Sequence, residues 1–221
     1  MSAADPPPIP PEPPFECALC PRLADFRADQ AVAHPDWFNG PAPSFGEDDA
    51  RLLIVGLAPG LQGANRTGRP FTGDFAGDLL YATIEKFGFS RGRYDARPDD
   101  GLALVDAMIT NAVRCVPPKN KPTGAEIKTC RQFLRARMDA LPRLRAIMCL
   151  GRIAHDSVLS ALEIKKADAP FAHGARHQAL KNTVAIFDSY HCSRYNTNTR
   201  RLTEDMFEQV FADIRTFLDE T

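Results

Sequence analysis

Arg51-Leu52-Leu53-Ile54-Val55-Gly56-Leu57 is an apolar run of strand length that opens into the loop Ala58-Pro59-Gly60-Leu61-Gln62-Gly63. Its apolar residues do not alternate with polar ones, so both faces of such a strand must be covered. Leu104 to Val113, Leu144 to Leu150 and Thr183 to Tyr190 share the pattern. Asp74 to Phe87, Thr123 to Ala140, Gly151 to Leu162 and Thr203 to Leu218 instead space their apolar residues by three and four, as helices with one buried face do. Thr123 stands three residues ahead of Glu126, and Thr203 precedes Glu204 and Asp205, both patterns of a helix N-cap with acids in the first turn. Doubly covered strands alternating with helices predict an α/β fold, a three-layer α/β/α domain with a four-stranded parallel central sheet.

The 221 residues are 44% apolar and 25% charged, which supports a core without disulfide bridges. No apolar run approaches the roughly 18 residues of a membrane span, and no charged segment followed by an apolar one opens the chain. The expectation is a soluble, unexported, cytoplasmic monomer with no membrane partner. Seven of the 19 prolines fall within MSAADPPPIPPEPP, so residues 1–14 are read as an extended, mobile leader ahead of one domain over 15–221. The formal charge of -1 conceals an uneven distribution. Arg114 to Arg145 holds nine basic side chains and two acids, whereas Glu204 to Glu220 holds six acids and one arginine. Such a layout suits either a basic face toward nucleic acid or solvated helix surfaces.

Open parallel sheets bind ligands beyond the carboxyl ends of their strands. The loop after the first strand is glycine-rich but fits neither GxGxxG nor a P-loop; it runs on through Asn65-Arg66-Thr67-Gly68-Arg69-Pro70-Phe71-Thr72-Gly73-Asp74 and delivers an aromatic ring and a carboxylate. Asp74 also suits the N-cap of the following helix. Asn111 closes the second strand, where an amide that donates and accepts at once could read a base edge or simply form a turn. His191 closes the fourth strand ahead of a polar, basic loop. His155 and His173 lack such a setting and are assigned structural roles.

Six cysteines in an unexported chain argue for metal binding, catalysis or burial rather than disulfides. Cys149 lies inside an apolar run and reads as core. Cys17 and Cys20 form a CxxC, with Cys115 and Cys130 far along the chain. By spacing alone, zinc and iron-sulfur ligation are both open.

Together, Cys17-Ala18-Leu19-Cys20-Pro21-Arg22-Leu23, Gly56-Leu57-Ala58-Pro59-Gly60, Asn65 to Asp74, Asn111 to Pro118 and His191 to Thr203 resemble the iron-sulfur branch of the uracil-DNA glycosylases, most of all its family 5 or B-type enzymes. The resemblance implies a DNA repair enzyme that flips uracil, and other deaminated bases such as hypoxanthine and xanthine, out of DNA and hydrolyses the N-glycosidic bond. It assigns a 4Fe-4S cluster to Cys17, Cys20, Cys115 and Cys130. Phe71 would stack on the flipped base, Asn111 would pair with its edge, and Gly56, Ala58 and Gly60 would help enclose it. His191 would hydrogen-bond the departing base anion, and Asp74 would stabilise the sugar cation and orient water, with Asp78 one turn on as the fallback.

Arg66, Arg69, Lys119, Lys121, Ser193, Arg194 and Tyr195 are expected to contact DNA, Tyr195 as a wedge. Cys192 and Tyr195 depart from the family's usual His-Pro-Ser and Arg-Gln pattern, which implies a less rigid loop. That departure keeps a competing reading in play, a catalytically weak or inactive iron-sulfur or zinc protein that binds nucleic acid on the same scaffold. A zinc nuclease would need His or carboxylate ligands converging with the cysteines, and the spacing offers none.

Overall fold

The computed structural model describes residues 10–179 and 183–220. Four parallel strands form its centre: β2 (Leu52–Gly56), β5 (Ala107–Asn111), β6 (Ala146–Leu150) and β8 (Val184–Ser189). They lie in the order β5-β2-β6-β8, so the first strand read in the sequence sits in the middle. Every residue of all four is buried.

Alternation within the strands divides the core. Leu52, Ile54, Ile109, Met148 and Phe187 face α3 (Phe75–Lys86) and α7 (Glu204–Asp219). Leu53, Val55, Met108, Ile147 and Ile186 face α4 (Gly124–Asp139) and α5 (Arg152–Ala161) on the other side. A strand with two apolar faces is stable only between two layers, which is the three-layer arrangement expected. Thr123 closes a full capping box with Glu126, and the Thr203 hydroxyl accepts from the Met206 amide, so both caps start their helices where the sequence placed them.

The sheet differs from four strands in having antiparallel edges. β1 (Phe45–Gly46) pairs with β5, and β7 (Arg176–Ala179) pairs with β8. β1 has only two residues and β7 is mostly polar, so neither shows an apolar run; short or polar strands suit an edge. The run 104–113 is also interrupted. Ala103–Leu104 (β4) pairs with Ser90–Arg91 (β3) in a separate two-stranded sheet, and Asp106 then turns the chain with a φ of 53°. Its carboxylate accepts from the Arg51 backbone at 3.0 Å and side chain at 2.7 Å, which holds this turn against the start of β2. The helix α1 (Pro21–Ala33) and the short helices α2 (Ala64–Thr67) and α6 (Arg194–Asn198) were not read in the sequence either.

The leader needs a second correction. Residues 1–9 lie outside the described residues, but the segment from residue 10 is tied down rather than mobile. Glu12 accepts from Arg114 and Arg137, each at 2.6 Å, and from the Ser44 amide at 3.1 Å. Arg114 is fully buried, and its guanidinium also donates to the carbonyls of Pro11 and Ala42. A buried guanidinium requires an anionic partner, and the leader supplies it.

Candidate active site

At the carboxyl end of the sheet the backbone continues its pairing past the strands: the amides of Ala112 and Val113 donate to the carbonyls of Gly56 and Leu57, each at 2.9 Å. This holds the 56–60 loop beside the exit of β5. Beyond it opens a cavity of about 270 Å³ lined by Leu57 to Gly60, Phe71, Asp74, Ala76, Asn111, Asn120, His191 and Ser193. Phe71 and Asp74 from the loop after β2, Asn111 from β5 and His191 from beyond β8 thus share one cavity.

Each is positioned by its own local chemistry. Phe71 adopts a φ of 55°, a left-handed conformation costly for an aromatic residue. Neighbours hold it there: the Tyr94 hydroxyl donates to its carbonyl at 3.2 Å, and the Tyr81 hydroxyl donates to the Pro70 carbonyl at 2.6 Å. Asn111, at the end of β5, is 2% exposed, and its Oδ1 has no partner among the described residues. An unpaired buried acceptor is costly and marks a position awaiting a donor. Gly56 opens the room for both. A Cβ there would run into Asn111 Oδ1 and lie 2.7 Å from Phe71 Cζ.

Asp74 occupies the N-cap position of α3 without closing a side-chain capping hydrogen bond. One carboxylate oxygen lies against Gly60 and Gly63, and the other is buried with no partner among the described residues. Burial pushes its pKa above the ordinary carboxylate value; the amides of Gly77 and Ala76 pull against that rise and the charge of Asp78 adds to it. Asp78, the fallback, is exposed and does not line the cavity. His191 is pushed down to about 4 by burial, so its imidazole is neutral at physiological pH and keeps one N–H to donate. The Asn196 side chain donates to its carbonyl at 2.8 Å, and Ser193 caps α6 by accepting from the Asn196 amide. Ser193 therefore shapes this loop as well as lining the cavity.

Asn120 also lines the cavity and was passed over in the sequence. Lys119 and Asn120 both take left-handed φ values, 55° and 56°, between prolines. Asparagine tolerates that conformation, so the available signal was an Asn in a Pro-Lys-Asn-Lys-Pro turn at a strand's carboxyl end.

Among the residues expected to contact DNA, Arg66, Lys119, Lys121, Arg194 and Tyr195 are exposed, Tyr195 to 70%. Arg194 lies 4.9 Å from the centre of the Phe75 ring. Arg69 does not belong with them. It is buried, donates to both carboxylate oxygens of Asp100 at 2.7 Å, and lies within 6 Å of the rings of Phe45, Tyr81 and Tyr94. A bidentate, aromatic-lined arginine is a structural clamp. The basic stretch is likewise less free than its charge suggests: Arg114 and Arg137 bind Glu12, Arg135 binds Asp139 and Arg143 binds Asp49.

Cys17, Cys20, Cys115 and Cys130 surround a second, small cavity together with Pro13, Leu19, Leu23, Val113 and Phe133. The Arg114 amide donates to Cys130 Sγ at 3.3 Å. Burial raises the Cys115 thiol to about 12 and Cys130 to about 11, and the neighbouring thiols of the set add to both. Four sulfurs converging in apolar surroundings, with a backbone donor to one of them, fit a thiolate-ligated metal group whose positive charge would offset their ionisation. Cys149, His155 and Asp188 also approach one another. There His155 Nδ1 lies 2.8 Å from an Asp188 oxygen and its Nε2 2.9 Å from the Ala169 carbonyl, two acceptors that the ring satisfies together only as an imidazolium, and His177 Nε2 lies 3.2 Å from the other Asp188 oxygen. Those atoms are already committed to a buried hydrogen-bond network, in keeping with a structural His155.

A family model described as the uracil DNA glycosylase superfamily matches residues 43–215. A type-5 uracil-DNA glycosylase of Thermus thermophilus is 42% identical over 205 residues, covering 90% of this chain and 92% of that protein. One from Mycobacterium leprae is 41% identical, covering 90% of each. A type-4 uracil-DNA glycosylase of Archaeoglobus fulgidus is 32% identical, covering 76% of this chain and 79% of that one.

Proposed function

Since the chain belongs to the uracil-DNA glycosylase superfamily and to its type-5 group, we propose that it excises uracil from DNA by hydrolysing the N-glycosidic bond in base excision repair. The observation that carries this reading is the meeting of Phe71, Asp74, Asn111 and His191 around one cavity. A base inside a duplex is out of reach of any such cavity, so the nucleotide is extruded at a cost of a few kcal/mol in lost stacking.

Phe71 then offers a ring face and Asn111 an amide with an unpaired acceptor for the imide edge of the base. Bond cleavage builds positive charge on the sugar and negative charge on the base. Neutral His191 donates toward the base anion, a contribution of about 3 kcal/mol for a donor aimed where charge appears. Asp74 faces the sugar as the carboxylate, where it offsets the cation and holds water for attack. No lysine lines the cavity among the described residues, which supports a monofunctional enzyme that leaves an abasic site.

The cavity wall supports substrates beyond uracil. Ala58, Pro59 and Gly60 bring neither bulk nor a polar side chain, so we extend the substrate class to hypoxanthine and xanthine. Arg66, Lys119, Lys121 and Arg194 supply backbone contacts, and exposed Tyr195 is the wedge. Cys17, Cys20, Cys115 and Cys130 would hold a 4Fe-4S cluster. Bound there, the cluster would supply cross-links rather than chemistry, joining the N-terminal segment to the exit of β5 and to α4.

The reading is tested with purified protein on single- and double-stranded oligonucleotides carrying uracil, hypoxanthine or xanthine. Alkali-labile abasic sites are the expected product, and failure to release any of the three bases overturns it in favour of a binding protein. Iron and sulfide analysis of anaerobically purified protein tests the cluster, and zinc alone would refute it.

A further inference from the structure

Cys192 follows His191 in the loop leaving β8 and is fully buried. Its thiol donates to the Ala76 carbonyl at 3.4 Å, on the first turn of α3. Burial, and after it the neighbouring Asp74 carboxylate, pushes this thiol up to about 12, so it stays protonated and remains a donor near neutral pH. The carbonyl that it meets belongs to the peptide joining Ala76 to Gly77. The other end of that planar unit is the Gly77 N–H, which donates to the Asp74 backbone carbonyl at 3.1 Å and opposes the burial-driven rise in the Asp74 pKa. Gly77 itself has no room for a side chain, because a Cβ would run into the Phe71 carbonyl oxygen. One peptide thus carries the thiol on its oxygen and ties back through its nitrogen to the backbone of Asp74.

We propose that Cys192 is a positioning residue: through the 76–77 peptide it fixes the start of α3, and with it the Asp74 carboxylate, against the loop that carries His191. Accepting a hydrogen bond at the carbonyl also polarises the amide at the other end of the peptide, which favours the ionised acid. The other groups facing Asp74 are Asp78 on its own helix, Tyr94 from the segment between β3 and β4, and His191 and Cys192 from the β8–α6 loop. The 57–63 loop presents glycine backbone and has no titratable side chain.

The catalytic consequence rests on the glycosylase reading; the effect on Asp74 does not. The test is a ¹³C NMR titration of aspartate carboxyls in the free full-length protein, with Asp74→Asn identifying the resonance, alongside single-turnover base release. Cys192→Ala is expected to raise the Asp74 midpoint, move the acid limb of the rate the same way, and slow release about three- to tenfold. Cys192→Ser, which restores a donor, should reverse all three effects. Cys192→Val fills the space without a donor and answers the same question should the alanine variant not fold.

An unchanged Asp74 midpoint in the donorless variant overturns the proposal, since the thiol then only fills space. If wild-type protein releases no base while the midpoint still moves, the glycosylase reading fails and the positioning role stands.

Discussion

The rings of Phe71 and His191 lie 5.9 Å apart, centroid to centroid, with 30° between their planes. The two residues are 120 positions apart in sequence and are brought together by opposite devices. Phe71 is held in a left-handed backbone conformation by tyrosine hydroxyls, whereas His191 simply follows two residues after a buried strand. Between them they give the cavity a stacking surface and a neutral donor.

Gly56 sets the depth of that cavity. Gly56→Ala should cost about 1–3 kcal/mol through overpacking and lower base release roughly 100-fold by displacing Asn111 and Phe71. Gly124→Ala is the control, because nothing lies within 4 Å of its added Cβ and its backbone is unstrained. Paired denaturation curves and single-turnover rates check both. A Gly56→Ala enzyme with wild-type rates would remove the packing argument.

Two opposed pKa shifts fix the pH profile. Asp74 acts ionised and its pKa is raised, so activity should appear as pH climbs through a midpoint above the ordinary carboxylate value and persist through neutrality. His191 is depressed to about 4 and stays neutral over that range, so its titration should not limit the rate near pH 7. Asp74→Asn should slow release by roughly 10²–10⁴ and abolish the acid limb, with DNA affinity nearly intact by fluorescence anisotropy. A limb retained in Asp74→Asn would assign it to another group.

How much of this was legible in the sequence depended on whether a feature was local. The β2 run and the Thr123 and Thr203 caps carry their own signals, and their elements begin within a residue or two of where they were read. Asp74, Asn111 and His191 were reachable because each sits at or just beyond the carboxyl end of a strand or at a helix start, and Phe71 because it lies in the glycine-rich loop that follows β2 and leads to Asp74. Arg69 was misread because Asp100, 31 residues on, determines whether a guanidinium faces solvent or a carboxylate. The two-residue β1 is too short to have a period, and the Asp106 turn depends on Arg51, which no local pattern announces.

Glu12 shows the same dependence on a distant partner. It is the anionic partner of Arg114, so Glu12→Ala leaves a buried guanidinium without a charge partner; the loss should be about 2–4 kcal/mol, discounted because Glu12 itself is partly exposed. Burial raises the Glu12 pKa, but Arg114, Arg137 and Ser44 outweigh it and the net shift is downward. The stabilisation is therefore full above the unfolded value of 4.5 and is lost as pH falls through the lower folded value. Urea denaturation at pH 7 and at pH 3 checks the sign: the difference between wild type and Glu12→Ala should shrink at the acid end.

Arg69 and Arg194 separate scaffold from DNA contact. Arg69→Lys keeps the charge but loses the two-pronged grip on Asp100, so it should cost about 1.5–3 kcal/mol of stability and leave the salt dependence of DNA binding unchanged. Arg194 is exposed on the first residue of α6 beside the cavity mouth, where a guanidinium can meet a phosphate. Arg194→Ala should leave stability within about 0.5 kcal/mol and reduce the slope of log affinity against log salt by about one. Lys119→Ala should behave as Arg194→Ala does, because each neutralised phosphate releases its own counterions. Titrations of a labelled duplex at several salt concentrations distinguish the two classes. A reduced slope in Arg69→Lys would return that residue to the DNA interface, and an unchanged slope in Arg194→Ala would take that residue out of it.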